Sequence, residues 1–95
     1  MLERAFTAIR EVDGASVETD ILNNLGRAYY MKGDAALATN FHEQSLEIAR
    51  KLHDRRKECR SLGNLGLSYK ALLRVQQAAE CYEEQLAISR KIRDR

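Results

Sequence analysis

The sequence has no proline, no tryptophan and only five glycines among its 95 residues. Without proline, the chain lacks the residue that most strongly breaks a helix. Alanine, leucine, glutamate, arginine, lysine and glutamine are abundant, and these side chains lose little rotamer freedom in a helix. No stretch of β-branched residues alternates with polar ones, so the pattern of a half-buried strand is missing. The sequence therefore predicts an all-α chain.

The chain also lacks any apolar run of the roughly 18 to 20 residues that cross a bilayer. Glu3, Arg4, Arg10 and Glu11 interrupt the stretch where a signal peptide would have its apolar core. Sixteen basic and fourteen acidic side chains give a net charge of +2, which is too balanced to indicate a nucleic-acid arm or a membrane-surface helix. We therefore expect a soluble, unsecreted chain with neither a nucleic-acid nor a membrane partner.

Cysteine is scarce, and the motifs of catalysis and metal binding are absent. Cys59 and Cys81 lack the spacing of a disulfide framework or a zinc site, so we expect a reducing compartment and a cytoplasmic location. A zinc motif beginning at His42 would need a second histidine where Leu46 stands. No P-loop or GxGxxG string is present. We expect no enzyme, no cofactor and no metal, with His42 as a core or boundary residue.

An internal repeat of forty residues organises the sequence. Positions 16–55 match positions 56–95 at fourteen places, whereas composition alone would give roughly two or three matches. The matched residues of the first copy are Glu18, Leu22, Asn24, Leu25, Gly26, Tyr29, Ala38, Glu43, Leu46, Ile48, Arg50, Lys51, Asp54 and Arg55. The opening stretch continues this register through Glu3, Phe6, Arg10 and Val12. We therefore describe residues 1–95 as a single array of about two and a third repeats, with a partial repeat at 1–15 and full repeats at 16–55 and 56–95.

Each full repeat divides into two helices. Apolar residues recur at intervals of three and four, as in Leu22, Leu25 and Tyr29, which is the helical period. Near the start of the chain, Asp13 and Gly14 offer a helix stop. We therefore predict five helices, near 1–13, 17–32, 35–52, 56–72 and 75–92.

The turn inside each repeat differs between the two copies. Gly33 can adopt a left-handed conformation that closes a helix, and Asp34 can cap the next helix. In the second repeat Leu73 and Arg74 replace these two residues. We therefore expect the hairpin at 72–75 to be the weaker of the two.

Gly26 and Gly66 recur inside predicted helices, where each costs about 1 kcal/mol relative to alanine. We interpret them as points of close helix approach, with Ala38 as the small residue opposite and Tyr29 filling the adjacent space. The alternative is a phosphate- or RNA-clamping GxxG loop at 63–66. That reading requires a loop, and the flanking helical period disfavours one.

These residues resemble the tetratricopeptide repeat family. In that family the first helix of a unit carries an apolar residue, then Leu-Gly three positions on, then tyrosine. Its second helix carries a small residue and an aromatic four positions later. The matching residues are Leu22, Leu25, Gly26, Tyr29, Ala38 and His42 in one repeat, and Leu62, Leu65, Gly66, Tyr69, Ala78 and Tyr82 in the next. His42 departs from the scheme because it stands where an aromatic residue is usual.

The forty-residue period and the string Gly63-Asn64-Leu65-Gly66 resemble the Leu-Gly-Asn subgroup, which includes Pins-like spindle-orientation adaptors and many bacterial arrays. The resemblance implies antiparallel helix pairs stacked in a right-handed superhelix. It also implies that the first helices line a concave surface suited to a peptide, as expected of a non-enzymatic scaffold for protein interaction.

The resemblance places one face of the first helices on this groove. The residues of that face, off the Leu22 and Leu62 stripes, are Asp20, Asn23, Asn24, Arg27, Tyr30, Arg60, Asn64, Leu67 and Lys70. Arg60 lies four residues before Asn64, so a guanidinium stands beside an amide that both donates and accepts. We predict that this face holds an extended acidic peptide, with Arg60 as the charge partner and Asn24 and Asn64 as backbone clamps. The alternative is a solvated helix face.

A second hypothesis comes from the two ends of the array. The first helix lacks its repeat partner and the last helix lacks a successor to cover its apolar face. Such ends belong to a fragment of a longer array, or they allow head-to-tail stacking into a homo-oligomer. A long coiled coil would instead need sustained heptads, and the glycine-marked repeat does not supply them.

Overall fold

A computed structural model describes the backbone of residues 2–93 and the side chains of residues 14–93. Within these residues the chain forms four α-helices and no strand. Helix α1 spans Leu2–Met31, α2 spans Ala35–Lys51, α3 spans Arg55–Ala71 and α4 spans Val75–Arg93. The prediction of an all-α chain is confirmed. The predicted bounds of the last three helices differ from the observed bounds by no more than one residue.

The prediction of five helices is wrong, because the segments 1–13 and 17–32 belong to one helix. Helix α1 runs through Asp13 and Gly14 without a break. A glycine inside a helix costs about 1 kcal/mol but keeps its backbone hydrogen bonds, whereas a helix stop of this kind needs a residue in the left-handed region. Among the described glycines only Gly33 has a positive φ, at 91°. The register of Glu3, Phe6, Arg10 and Val12 lies outside the described side chains.

Three turns of the same backbone geometry connect the helices. Each contains one residue in the left-handed region, Gly33 at φ 91°, His53 at 54° and Leu73 at 62°. In the last turn, the backbone N–H of Arg74 donates to the carbonyl of Tyr69 at 2.8 Å. The turn at 72–75 therefore adopts the same conformation as the other two, although it contains no glycine.

The turns differ in how they cap the helix that follows. The side chain of Asp34 accepts a hydrogen bond from the backbone N–H of Leu37 at 3.1 Å, and Asp54 accepts one from Lys57 at 3.1 Å. Arg74 occupies the same position before α4 and has no side-chain oxygen to accept such a bond. Helix α4 therefore begins without the cap that stabilises α2 and α3.

The helices form two antiparallel pairs that pack on each other. Helix α1 pairs with α2, and α3 pairs with α4, while α3 also packs on α2 and touches α1. The buried apolar residues are Leu22, Ala38, Leu46, Ala49, Leu62, Leu65, Tyr69, Ala78 and Ile88. Helix α3 therefore lies at the centre of the molecule and joins the two repeats.

Close helix approach occurs at both repeated glycines, but a ring from the second helix fills the space. A Cβ added to Gly26 would lie 2.5 Å from Cε1 of His42, and one added to Gly66 would lie 2.6 Å from Cε1 of Tyr82. Ala38 is completely buried, but it is the His42 ring that lies nearest Gly26. Any larger residue at either glycine would displace this ring.

Candidate functional site

A small cavity opens between α1 and α3, on the side of the molecule formed by the first helices of the two repeats. Its volume is about 190 Å³. The residues that line it are Arg27, Tyr30, Met31, His42, Asn64, Leu67 and Ser68. Four of these, Arg27, Tyr30, Asn64 and Leu67, are residues that the sequence analysis assigns to the binding face. We refer to this space as the α1/α3 cavity.

Two polar atoms at the α1/α3 cavity have no hydrogen-bond partner in the described part of the chain. They are Nδ2 of Asn64 and Oγ of Ser68, and both are shielded from solvent. Ser68 is completely buried. A buried polar group without a partner costs about 1 to 3 kcal/mol, and a ligand that supplies the missing partner recovers that cost. The cavity thus contains two sites of unsatisfied hydrogen bonding.

Asp20 is held by two cations of α3, so it is part of the contact between the repeats. Lys57 Nζ lies 3.2 Å from Asp20 Oδ1 and donates at 2.7 Å to both the carbonyl and the hydroxyl oxygen of Ser16. The Nη1 atom of Arg60 lies 3.5 Å from the same Asp20 oxygen. Arg60, the predicted charge partner of a peptide, therefore already faces a carboxylate of its own chain.

Asn23 differs from the rest of the predicted face because it is buried, at 3% exposure. Helix α1 packs against α2 on one side and against α3 on another. Its buried face is therefore wider than the predicted apolar stripe of Leu22, Leu25 and Tyr29, and it is centred on a different part of the helix surface. Thr19, Leu22 and Asn23 are buried, whereas Leu25 is 40% exposed. Asn24 is exposed on the neighbouring sector.

Four buried polar side chains and the backbone carbonyl of Thr19 form a hydrogen-bonded chain across α1, α2 and α3, which we call the polar seam. Its members are Thr19, Asn23, His42, Ser45 and Ser61. Ser45 Oγ donates to the carbonyl of Thr19 at 3.2 Å, so Ser61 Oγ must donate to Ser45 Oγ, at 3.0 Å. Asn23 Nδ2 donates to Ser61 Oγ at 3.3 Å. Every donor in the seam therefore points in the same direction along it.

This direction determines the tautomer of His42. The Oδ1 atom of Asn23 can only accept, so Nδ1 of His42 carries the proton and donates to it at 3.0 Å. Burial, and secondarily the positive charge of Arg27, lower the pKa of His42 to about 4. At neutral pH the ring is therefore uncharged, and its Nε2 atom is an acceptor on a residue that lines the α1/α3 cavity.

The remaining predicted residues surround the cavity or lie near it. Tyr30 is 38% exposed and Leu67 is 46% exposed, so each offers apolar surface to solvent. Lys70 is exposed on α3 and does not line the cavity. Sequence reasoning missed Met31 and Ser68, because neither recurs in the other repeat, where Ala71 and Ala28 hold the equivalent positions.

A larger groove of about 550 Å³ lies between α2 and α4, but its charged groups are largely paired. Tyr69 Oη donates to Glu43 at 2.5 Å, and Arg50 Nη2 donates to Glu84 at 2.7 Å. Burial raises the pKa of the Cys81 thiol at this groove, which disfavours the reactive thiolate. This groove presents fewer unsatisfied groups than the α1/α3 cavity.

Cys59 lies elsewhere, between α3 and α4, and its thiol pKa is also raised, first by burial and then by Glu58.

No group of three or more metal-ligating side chains occurs among the described residues. No helix in residues 2–93 combines the length and apolar character needed to cross a membrane.

The fold and the cavity define a helical repeat protein of the kind that binds other proteins: two antiparallel helix pairs, related by a forty-residue repeat, meet at a cleft between their first helices. The family model described as Tetratricopeptide repeat matches residues 17–91. The chain therefore belongs to the tetratricopeptide repeat family, whose repeats generally mediate protein–protein interaction and are typically non-enzymatic. No curated protein matches the chain.

Proposed function

We propose that the chain is a non-enzymatic adaptor that binds an extended acidic peptide of a partner protein at the α1/α3 cavity. The observation that carries this proposal is the Nδ2 atom of Asn64, a buried donor at the cavity with no acceptor in the described structure. Every residue of an extended peptide offers a backbone carbonyl as an acceptor. A peptide carbonyl bound there would satisfy Asn64 independently of the ligand side chains.

The charges on this face favour an acidic ligand. Arg27 lines the cavity, and Arg60 and Lys70 lie on α3 on either side of Asn64 in the sequence. Asp20 is the one acidic member of the predicted face, and Lys57 and Arg60 already contact it. A net positive face speeds the encounter with an acidic peptide and disfavours a basic one.

The walls of the cavity provide an apolar contact beside the polar one. Tyr30, Met31 and Leu67 are exposed apolar residues around its opening. A cavity of about 190 Å³ has room for one aliphatic side chain. Each CH₂ group buried there contributes about 0.8 kcal/mol. We therefore propose a ligand with an aliphatic residue next to its acidic residues.

Asn24 is proposed as a second backbone clamp, because it is exposed and holds in the first repeat the position that Asn64 holds in the second. The concave shape, the right-handed superhelical winding, the likeness to the Leu-Gly-Asn subgroup and a cytoplasmic location belong to the same proposal. The shape, the winding and the subgroup rest on the forty-residue period and on the packing of α3 against both helices of the first pair. The location rests on the two cysteines.

Fluorescence anisotropy with labelled acidic and basic peptides, at low and high salt, tests the proposal. Asn64→Ala is expected to weaken binding of the best acidic peptide by about 1 to 3 kcal/mol, because a ligand carbonyl loses its donor. This corresponds to about five- to 150-fold in Kd. Asn40→Ala is the matched control, since Asn40 is exposed on α2 and contacts Gln44 of the same helix.

A second pair of variants tests the charge. Arg60→Glu is expected to weaken acidic-peptide binding at low salt and to lose most of this effect at high salt. Arg56→Glu changes the net charge equally, but Arg56 lies at the start of α3 beside His53 and Lys91, away from the cavity. Equal affinities of Asn64→Ala and Asn40→Ala for the best peptide would refute the assigned site.

A further inference from the structure

Helix α3 packs on the first helix pair through an apolar contact whose residues recur forty positions away. Leu46 of α2 belongs to the same buried cluster as Leu65 and Tyr69 of α3. Leu46 is 7% exposed and Leu65 is 2% exposed. This contact joins one repeat to the next within the chain.

Two polar contacts flank the apolar one. Arg50 Nε lies 3.7 Å from Glu58 Oε2. Tyr69 Oη donates to a carboxylate oxygen of Glu43. Both contacts cross from α2 to α3, so charge and hydrogen bonding, as well as shape, determine how the second repeat lies on the first.

The six residues of these apolar and polar contacts each have an identical residue forty positions away. The counterparts of Glu58, Leu65 and Tyr69 on α3 are Glu18, Leu25 and Tyr29 on α1, and the counterparts of Glu43, Leu46 and Arg50 on α2 are Glu83, Leu86 and Arg90 on α4. Leu25 is 40% exposed and Leu86 is 52% exposed, in contrast to the buried Leu65 and Leu46. The chain thus carries both halves of its own inter-repeat contact on two open surfaces, one on α1 and one on α4.

A cavity on the outer side of α3 and α4 corresponds to the surface that α3 covers in the first repeat. It has a volume of about 360 Å³ and is lined by Cys59, Tyr82, Gln85, Leu86 and Ser89. The equivalent residues of the first repeat, Thr19, His42, Ser45, Leu46 and Ala49, are all buried. We call this space the α3/α4 cavity. The internal repeat indicates that a helix like α3 is what covers it.

We infer that the chain binds a second copy of itself head to tail, with α1 of one copy in the α3/α4 cavity of the next. Leu25 of one copy then packs on Leu86 of its neighbour, and Glu18 pairs with Arg90. Tyr29 meets Glu83 in the same way that Tyr69 meets Glu43. A second copy is the occupant because these two surfaces together carry the same six residues that make the buried contact within the chain.

The residue at the centre of this contact differs from its internal counterpart in a compatible way. Ser61 of α3 contacts the polar residues Asn23 and Ser45. Its counterpart Ile21 is 52% exposed and would face Gly63 and Gln85 of the neighbouring copy. The serine hydroxyl that Ser61 contacts, that of Ser45, therefore has no equivalent at the place where Ile21 would dock.

Such an interface is heterologous. In a dimer each copy still has one unpaired surface, so further copies can add and the average mass rises with concentration. It also extends the proposed peptide face. Within the chain, Asn64 and Arg27 lie together at the α1/α3 cavity. Between copies, their counterparts Asn24 of one copy and Leu67 of the next would lie together in the same way. The inference does not depend on peptide binding, since neither Leu86 nor Glu18 lines the α1/α3 cavity.

Sedimentation velocity over a range of concentrations tests this inference on the 95-residue chain. The parent is expected to increase in average mass as its concentration rises. Ile21→Glu and Leu86→Glu are each expected to remain monomeric, because each places a charge in one half of the contact. An equimolar mixture of the two variants is expected to form dimers and nothing larger, because one intact pair of surfaces remains. A symmetric two-fold dimer of the parent would instead stop at twice the mass of one chain, however high the concentration.

A charge exchange keeps the test decisive if an apolar variant fails to fold. Glu18→Arg and Arg90→Glu should each lower the average mass at a given concentration, and the double variant should restore it. Glu80→Arg is the control on α4. The counterpart of Glu80 in the first repeat, Asn40, is bonded to Gln44 of its own helix, so Glu80 is not one of the residues of the proposed contact. A parent that stays monomeric at every concentration, or a double variant that associates less than either single variant, would overturn the inference.

Discussion

His42 shows how a polar side chain is accommodated at a position of close packing. Its ring lies on Gly26, where no Cβ is present to displace it, and its Nδ1–H donates to Asn23 at the end of the polar seam. Tyr82 lies on Gly66 at the same position of the second repeat. The two rings occupy equivalent space, but the histidine ring can also take up a proton in acid.

The lowered pKa of His42 makes stability depend on pH. The pKa is about 4 in the folded chain and 6.5 for an unperturbed histidine, so between these values the unfolded chain binds a proton that the folded chain does not. This contribution to stability is complete above pH 6.5 and is lost as pH falls towards 4. Allowing for solvent screening, we expect a loss of about 2 kcal/mol.

Urea denaturation at a series of pH values measures this loss. His42→Tyr is the control, because tyrosine occupies the equivalent position in the second repeat and does not titrate in this range. All other ionisable side chains are the same in both proteins, so the difference between the two pH profiles isolates His42. Parallel profiles between pH 4 and 6.5 would contradict the assigned burial.

At the scale of the element, the local sequence pattern predicted helix α3 correctly and helix α1 incorrectly. The period of Leu62, Leu65 and Tyr69 was sufficient to predict α3, because these residues face one core. The pattern of α1 was misleading, since Asp13-Gly14 resembles a helix stop and yet helix α1 runs through it. A glycine permits a left-handed turn without requiring one, and single-sequence reasoning cannot tell these cases apart.

The turn before α4 combines two unfavourable features. Leu73 has φ 62°, a conformation that costs a non-glycine residue about 1 to 2 kcal/mol, and Arg74 leaves the helix uncapped. Leu73 is 84% exposed, so its replacement removes little packing. We expect Leu73→Gly with Arg74→Asp to stabilise the chain by about 1 to 2 kcal/mol.

Thermal and urea denaturation check this expectation. Leu73→Ala with Arg74→Asp is the matched variant, because alanine keeps the left-handed strain while the new aspartate still caps α4. The glycine variant should therefore exceed the alanine variant by about 1 kcal/mol. A loss of stability in the glycine variant would mean that the turn is not the strained element that its dihedral angles indicate.

At the scale of the whole molecule, the candidate site depends on contacts between repeats. Helical spacing predicted that Arg27, Asn64 and Leu67 lie off the apolar stripes of their helices, and the family resemblance predicted that these faces share one side of the molecule. It could not show that Asn23 turns inward or that Ser68 borders the cavity, since both depend on how α3 lies against α1 and α2. The unsatisfied donor of Asn64 likewise emerges only from three-dimensional packing.

The most direct test of peptide binding at the α1/α3 cavity observes the Asn64 side-chain amide itself. In a ¹⁵N-labelled chain, the four asparagine NH₂ groups give separate signals that can be followed as an acidic peptide with one aliphatic residue is added. We expect the Asn64 protons to shift downfield as Nδ2 gains an acceptor, while the Asn40 signals stay in place. A peptide that binds at saturation and leaves the Asn64 signals unchanged would contradict the account.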